Sequence, residues 1–138
     1  AVDAIQDGET VVMYPEGTIT RDPQLWPMAG KTGAARIALM SGAPVIPLAM
    51  WGPQQVMGPY VKEFRILPRK TMHVNIGEPT DLDDLRALPI TAEVLAEATE
   101  RIITDITVLL AELRGESAPA ERIDFKTWKA ANKQEDLT

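Results

Sequence analysis

The sequence contains no cysteine, so disulfides, thiolate nucleophiles and cysteine-based metal sites are excluded. Its one histidine is His73, and without a second imidazole a transition-metal site is not expected. Long apolar runs are missing as well. The longest, APVIPLAMW at 43–51, holds two prolines and falls well short of the roughly 20 residues that cross a bilayer. Positive charge is scarce: 14 Lys and Arg against 20 Asp and Glu leave a formal net charge of −6. That balance argues against nucleic acid as a partner, because such affinity comes largely from clustered Lys and Arg. The lack of cysteine fits a cytoplasmic address, and the opening AVDAIQDGET has neither the basic start nor the long apolar region of a signal peptide.

What is present is an ordinary globular composition, 45% hydrophobic and 25% charged over 138 residues, enough for one domain with its own core. Charge is unevenly spread. Lys62, Arg65, Arg69 and Lys70 stand against Glu63 alone between Tyr60 and His73, whereas seven acids oppose Arg86 between Glu78 and Glu100. The basic stretch reads either as a solvated surface or as a local contact for an anion or anionic lipid.

Residues 1–9 read as a helix closing at Gly8, and TVVMY at 10–14 as a short buried strand ending at Pro15. The segment MYPEGTITRD at 13–22 then lies just past a strand's C-terminal end, the edge where ligands gather in open α/β sheets. In AGKTGAARIALMSGAP, Thr32 or Gly33 opens a helix with an apolar face that Gly42 and Pro44 stop. PVIPLAMWG follows as a continuous apolar strand of the kind buried on both faces. Strand, helix and strand in this order suggest a parallel βαβ unit. KTMHVNIG at 70–77 alternates as a further strand. From Thr91 to Leu113, apolar residues recur at three- and four-residue spacing and Gly115 closes the helix. Its polar face carries Glu93, Glu97, Glu100 and Asp105, which favours core packing over lipid binding. The expected fold is α/β, with βαβ units around a mainly parallel or mixed central sheet flanked by helices. Residues 1–115 form the domain portion, and 116–138 a polar tail with Phe125 and Trp128 as its anchors.

Two motifs suggest chemistry that their surroundings do not support. Gly30-Lys31-Thr32 looks like the end of a phosphate-binding P-loop, but the glycine required five positions earlier is Leu25 and Pro27 interrupts the loop. Nucleotide hydrolysis is not expected, although Lys31 beside free helix amides remains an anion site as readily as an exposed lysine. His73 and Glu78 are five residues apart, an odd spacing that sends strand side chains to opposite faces, and His73 reads as a half-buried strand residue.

Taken together, VVMYPEGTITRD, GKTGAARIAL and GAPVIPLAMWG resemble the 1-acylglycerol-3-phosphate acyltransferase family over residues 8–80. In that family a strand leads into Phe-Pro-Glu-Gly-Thr-Arg-Ser, a Gly-rich helix start follows, and a Val-Pro-Ile-Val-Pro-Val strand comes next, matched here by Ala43–Leu48. The resemblance implies transfer of a fatty acyl group from acyl-CoA or acyl carrier protein to 1-acylglycerol 3-phosphate at the cytoplasmic face of a membrane, without a further cofactor. It implies that Glu16 accepts a hydrogen bond from the glycerol unit, that Gly17 lets the backbone approach and that Thr18 braces the turn. Arg21 and Lys31 would pair the phosphate, and Val45, Ile46 and Pro47 would help wall the acyl-donor site. The family's Arg-Ser is replaced by Ile19 and Thr20, with an arginine only at Arg21. The family's catalytic histidine and aspartate, spaced His-x4-Asp, have no counterpart before Tyr14. The chain is therefore expected to be a C-terminal portion, truncated at its N-terminus and inactive alone. The alternatives are a noncatalytic phospholipid- or phosphate-binding module, and an acyltransferase for glycerol 3-phosphate or another lysophospholipid.

Overall fold

The computed structural model describes residues 1–132, so the last six positions of the polar tail lie outside the described residues. The longest element is helix α5, Ala92–Arg114, about 34 Å at 1.5 Å per residue. Thr91 caps it by accepting the Val94 N–H, and Gly115 ends it in the left-handed conformation, as the spacing predicts. Along its inner face Leu95, Ala98, Ile102, Ile103 and Leu110 are buried. Thr99 and Thr107 are buried on the same helix, each satisfied by donating to the carbonyl four residues back at 2.7 Å.

Against α5 pack helix α2, Gly33–Ser41, and a two-stranded sheet of β1, Leu48–Trp51, and β2, His73–Ile76. Helix α2 ends as expected at Gly42, whose left-handed φ of 69° lets its N–H reach the Ala38 carbonyl. The short helix α1, Val2–Gln6, lies on α2. Two brief helices, α3 at Pro53–Val56 and α4 at Asp83–Arg86, connect the sheet to its neighbours. Helix α6, Phe125–Asn132, closes the described chain. One core cluster joins Ala35 and Ala38 of α2, Leu82 and Leu85 around α4, and Leu95, Ala98 and Ile102 of α5. A second gathers Trp26, Ala49 and Leu110. Arg101 ties α4 to α5 through both oxygens of Asp84, at 2.6 and 2.8 Å, while bonding Glu97 on its own helix.

The architecture is α/β, but its strands differ from the expected ones. β1 and β2 pair antiparallel, Leu48 opposite Ile76 and Trp51 opposite His73, so the observed pair is not a parallel βαβ unit. Residues 10–14 form no strand, and Val12 and Tyr14 are 81% and 80% exposed. β-branched residues favour a strand only when a neighbouring backbone takes up their ladder groups, and none of the described residues does so here. Residues 43–51 are not buried on both faces either. Pro47 and Ala49 turn inward toward α5, while Ile46, Leu48 and Met50 remain exposed. One face of the antiparallel pair rests on the helix and the other stays open. His73 lies on β2 as expected but is exposed rather than half-buried, as are Val74 and Ile76, because little of the described chain covers this strand.

Candidate functional site

Tyr14 to Gly17 make a tight turn, closed by a 3.0 Å bond from the Gly17 N–H to the Tyr14 carbonyl. Pro15 supplies the fixed φ that the first central position of such a turn favours, and Gly17 takes a left-handed φ of 63°. The chain then loops out and returns, and residues 28–31 fasten the turn from behind. The Met28 N–H donates to Glu16 Oε2 at 2.8 Å, and the Lys31 N–H donates to the Pro15 carbonyl at 2.8 Å. Lys31 Nζ reaches the Gly17 carbonyl at 3.5 Å. A side chain at position 17 would bring its Cβ to 3.0 Å from that ammonium, so Gly17 makes room for Lys31 to lie over the turn.

Glu16 is thus both an anchor and a half-free carboxylate. One oxygen holds the buried Met28 backbone. Burial pushes the carboxyl above its ordinary range, and the Met28 N–H opposes that shift in part. Met28 also links the turn to Arg21, because its sulfur accepts the Arg21 N–H at 3.3 Å. Lys31 stands just before α2, whose N-cap Thr32 makes no side-chain cap bond. The first amides of that helix therefore have no side-chain cap, and such a helix start attracts anions.

Arg21 is held differently. Its guanidinium carbon sits 3.6 Å from the centroid of the Tyr60 ring and 4.7 Å from that of Trp128. Among the described residues it pairs with no carboxylate, and its Nε is buried without a hydrogen-bond partner. A guanidinium stacked on aromatic faces with its edge unpaired is suited to a bidentate oxyanion. Tyr60 is fixed in turn by donating its hydroxyl to the Ile19 carbonyl at 2.6 Å. It holds a left-handed φ of 60°, a conformation costing about 1–2 kcal/mol for a residue with a side chain.

The structure gathers Glu16, Gly17 and Lys31 into one turn and joins Arg21 to it through Met28. The side chain of Thr18 makes no hydrogen bond among the described residues. Bracing falls instead to Thr20, whose hydroxyl donates to the Trp26 carbonyl at 2.7 Å and accepts the Asp22 N–H at 3.1 Å. Asp22 extends the brace by accepting the Gln24 N–H at 2.7 Å, and the Thr-x-Asp spacing is a turn signal readable in the sequence. Tyr60 and Trp128 carry no such signal, since they reach Arg21 from distant parts of the chain. Val45, Ile46 and Pro47 lie elsewhere. The carbonyls of Val45 and Pro47 accept the N–H groups of Thr80 and Gly77, Val45 packs on the α2–α5 core, and of the three only Ile46 is exposed.

Residues 1–51 match the family model described as Acyltransferase. The chain is 35% identical over 101 residues to the 1-acyl-sn-glycerol-3-phosphate acyltransferase of Bacillus subtilis, covering 73% of this chain and 45% of that protein. It is 36% identical over 56 residues to the chloroplastic 1-acyl-sn-glycerol-3-phosphate acyltransferase of Brassica napus, covering 41% of this chain and 16% of that protein. No solved structure matches it significantly. These matches support a place for the chain in the 1-acylglycerol-3-phosphate acyltransferase family. It spans less than half the length of these curated relatives.

Proposed function

We propose that the turn at 14–17, with Arg21 and Lys31, holds the acceptor of an O-acyltransferase that converts 1-acylglycerol 3-phosphate to phosphatidate, with acyl-CoA or acyl carrier protein as donor. The observation that carries this reading is the Arg21 guanidinium, lying over the rings of Tyr60 and Trp128 with no carboxylate partner among the described residues. A phosphate monoester supplies the paired oxygens that such an edge binds, and Lys31 adds a second cation. The second oxygen of Glu16 accepts from the glycerol unit. Thr18 lines the turn, and Ile46 with Val45 and Pro47 borders the acyl chain of the donor.

In the reaction the acceptor hydroxyl attacks the thioester carbonyl, an ester bond forms, the carbon–sulfur bond breaks and the thiol leaves with the hydroxyl's proton. A base must stand at that hydroxyl, and positioning of the two reactants accounts for a large share of the rate. The residues described above supply positioning. His73 is exposed on β2, and no carboxylate among the described residues pairs with it to orient it, so it is assigned no part as the base, and these 138 residues alone are proposed not to turn over. The same reading places β1 and β2 in a larger central sheet, with the acceptor reached from the cytoplasmic face of a membrane. Among the described residues no helix is long and apolar enough to cross one.

The test is acyl transfer to 1-acylglycerol 3-phosphate by the complete open reading frame, with Glu16→Ala and Arg21→Gln beside the wild type. Turnover lost in both folded variants supports the reading, and turnover indifferent to both removes it. The unpaired Arg21 guanidinium also suits a second reading, a phosphate-binding module without catalysis. That reading predicts binding with no turnover by the complete protein.

A further inference from the structure

Residues 57–72, between α3 and β2, form neither helix nor strand. Phe64, Ile66 and Leu67 stand there 65%, 62% and 83% exposed, where large apolar side chains so closely clustered mark a contact surface. Between and after them come Lys62, Arg65, Arg69 and Lys70, with Glu63 as the single acid, in a chain of net charge −6. Arg65 pairs with Glu63, whereas Lys62, Arg69 and Lys70 form no ion pair among the described residues. The segment is nonetheless fastened at several points. The Arg65 N–H donates to the Val56 carbonyl at 2.7 Å, and Tyr60 bonds Ile19 at 2.6 Å. At its far end Thr71 lies close against Gly52, where a Cβ would come within 2.4 Å of the Thr71 carbonyl oxygen.

We propose that residues 57–72 are a docking surface for an anionic lipid bilayer. The basic side chains meet headgroup phosphates while Phe64, Ile66 and Leu67 enter the boundary between headgroups and acyl chains. Charge complementarity alone would also suit an acidic protein. The lipid surface is favoured because it takes up basic and apolar side chains in any register, without matching pockets for the three apolar ones. The choice of partner rests on the function proposed above, and the surface deepens it. Tyr60 belongs to this segment and stacks on Arg21, so a docked segment brings the acceptor site to the leaflet that holds a lipid acceptor.

The experiment is co-sedimentation of the full chain with vesicles of phosphatidylcholine, with and without phosphatidylglycerol. Three forms are compared: the wild type, the charge-reversed R65E/R69E/K70E and the apolar-to-polar F64S/L67S, with circular dichroism confirming that each variant folds. The expected result is sedimentation with the anionic vesicles only, weakening as salt screens the charges. Charge reversal should reduce partitioning on the order of a hundredfold or more, each basic residue near such a surface contributing roughly a fivefold factor. F64S/L67S should weaken it with every charge in place. Equal sedimentation of all three forms, or no sedimentation of the wild type, overturns the proposal. So does binding of an acidic carrier protein that depends on these residues while vesicles stay unbound. Vesicle binding is read without turnover, so its loss leaves the acyl-transfer assay to stand or fall separately.

Discussion

The Glu16 carboxylate and the Met28 backbone amide are joined by a 2.8 Å hydrogen bond across twelve residues of chain. Through it the 14–17 turn is fixed to the buried segment that leads into α2. Glu16→Ala leaves the amide of the fully buried Met28 without its acceptor, and we expect a loss of about 1–3 kcal/mol in chemical denaturation. Glu16→Gln keeps a carbonyl oxygen in place and should cost less than about 1 kcal/mol.

The same pair predicts a pH dependence. Burial raises the folded pKa of Glu16 above its ordinary value of 4.5, so folding favours the protonated carboxyl. Its contribution to stability is complete below that ordinary value and is lost as pH rises through the raised folded one. Denaturation midpoints measured across this window should fall with rising pH more steeply in the wild type than in Glu16→Gln. Parallel profiles would show that the carboxyl is not the titrating group.

At Gly30 the loop presses on α5 so closely that an added Cβ would stand 2.7 Å from Thr99 Cγ2 and 2.8 Å from Ile103 Cγ1. Both neighbours belong to buried residues, so neither moves freely. Gly30→Ala should destabilise by about 1–3 kcal/mol. Gly33→Ala, where a Cβ meets nothing within 4 Å, should be neutral or stabilising by up to about 1 kcal/mol. Thermal unfolding of the two variants side by side checks the contrast.

The Arg21 guanidinium lies over the rings of both Tyr60 and Trp128. Trp128→Ala should weaken binding of 1-acylglycerol 3-phosphate by about 2- to 30-fold, the equivalent of a cation–π contact of about 0.5–2 kcal/mol. Trp128→Phe keeps a ring and should lose less. An equal loss in both variants, measured by titration calorimetry, would mean that the ring contact does not position Arg21.

A second arginine is held by rings for a structural purpose. Arg114 lies 4.0 Å from the centroid of Trp26 and 4.4 Å from that of Trp51 while donating to the Gln24 carbonyl at 2.7 Å. Arg114→Ala should cost about 2–4 kcal/mol from the lost stacking and charge-assisted bond together. Arg114→Lys should recover only part of it, since an ammonium lacks the flat fork. Near-UV circular dichroism of the tryptophans, with denaturation, reports both effects.

The parts of the fold legible in the sequence are those whose causes are local. Helices α2 and α5 announce themselves by apolar spacing and end at Gly42 and Gly115, whose left-handed backbone is a property of a single residue. Residues 10–14 have the composition of a strand, but a strand is completed by another stretch of backbone, and composition cannot say whether one is within reach. The antiparallel pairing of β1 with β2 is hidden for the same reason, because their partnership is decided by packing on α5. The site divides likewise. Pro15, Glu16 and Gly17 are visible as a turn, and Lys31 as a cation before a helix. The rings that hold Arg21 come from residues 60 and 128, which only the folded chain brings to one guanidinium.

The most direct test of the account is titration of 1-acylglycerol 3-phosphate, below its aggregation concentration, into the full chain and its Arg21→Gln variant, with monoacylglycerol as the phosphate-free control. The account predicts saturable binding by the wild type and none of the control. In the variant it predicts a loss of about 10- to 150-fold, the worth of a charge-assisted hydrogen bond at about 1.5–3 kcal/mol. Equal affinity of wild type and variant, or equal affinity for the ligand with and without its phosphate, would contradict it.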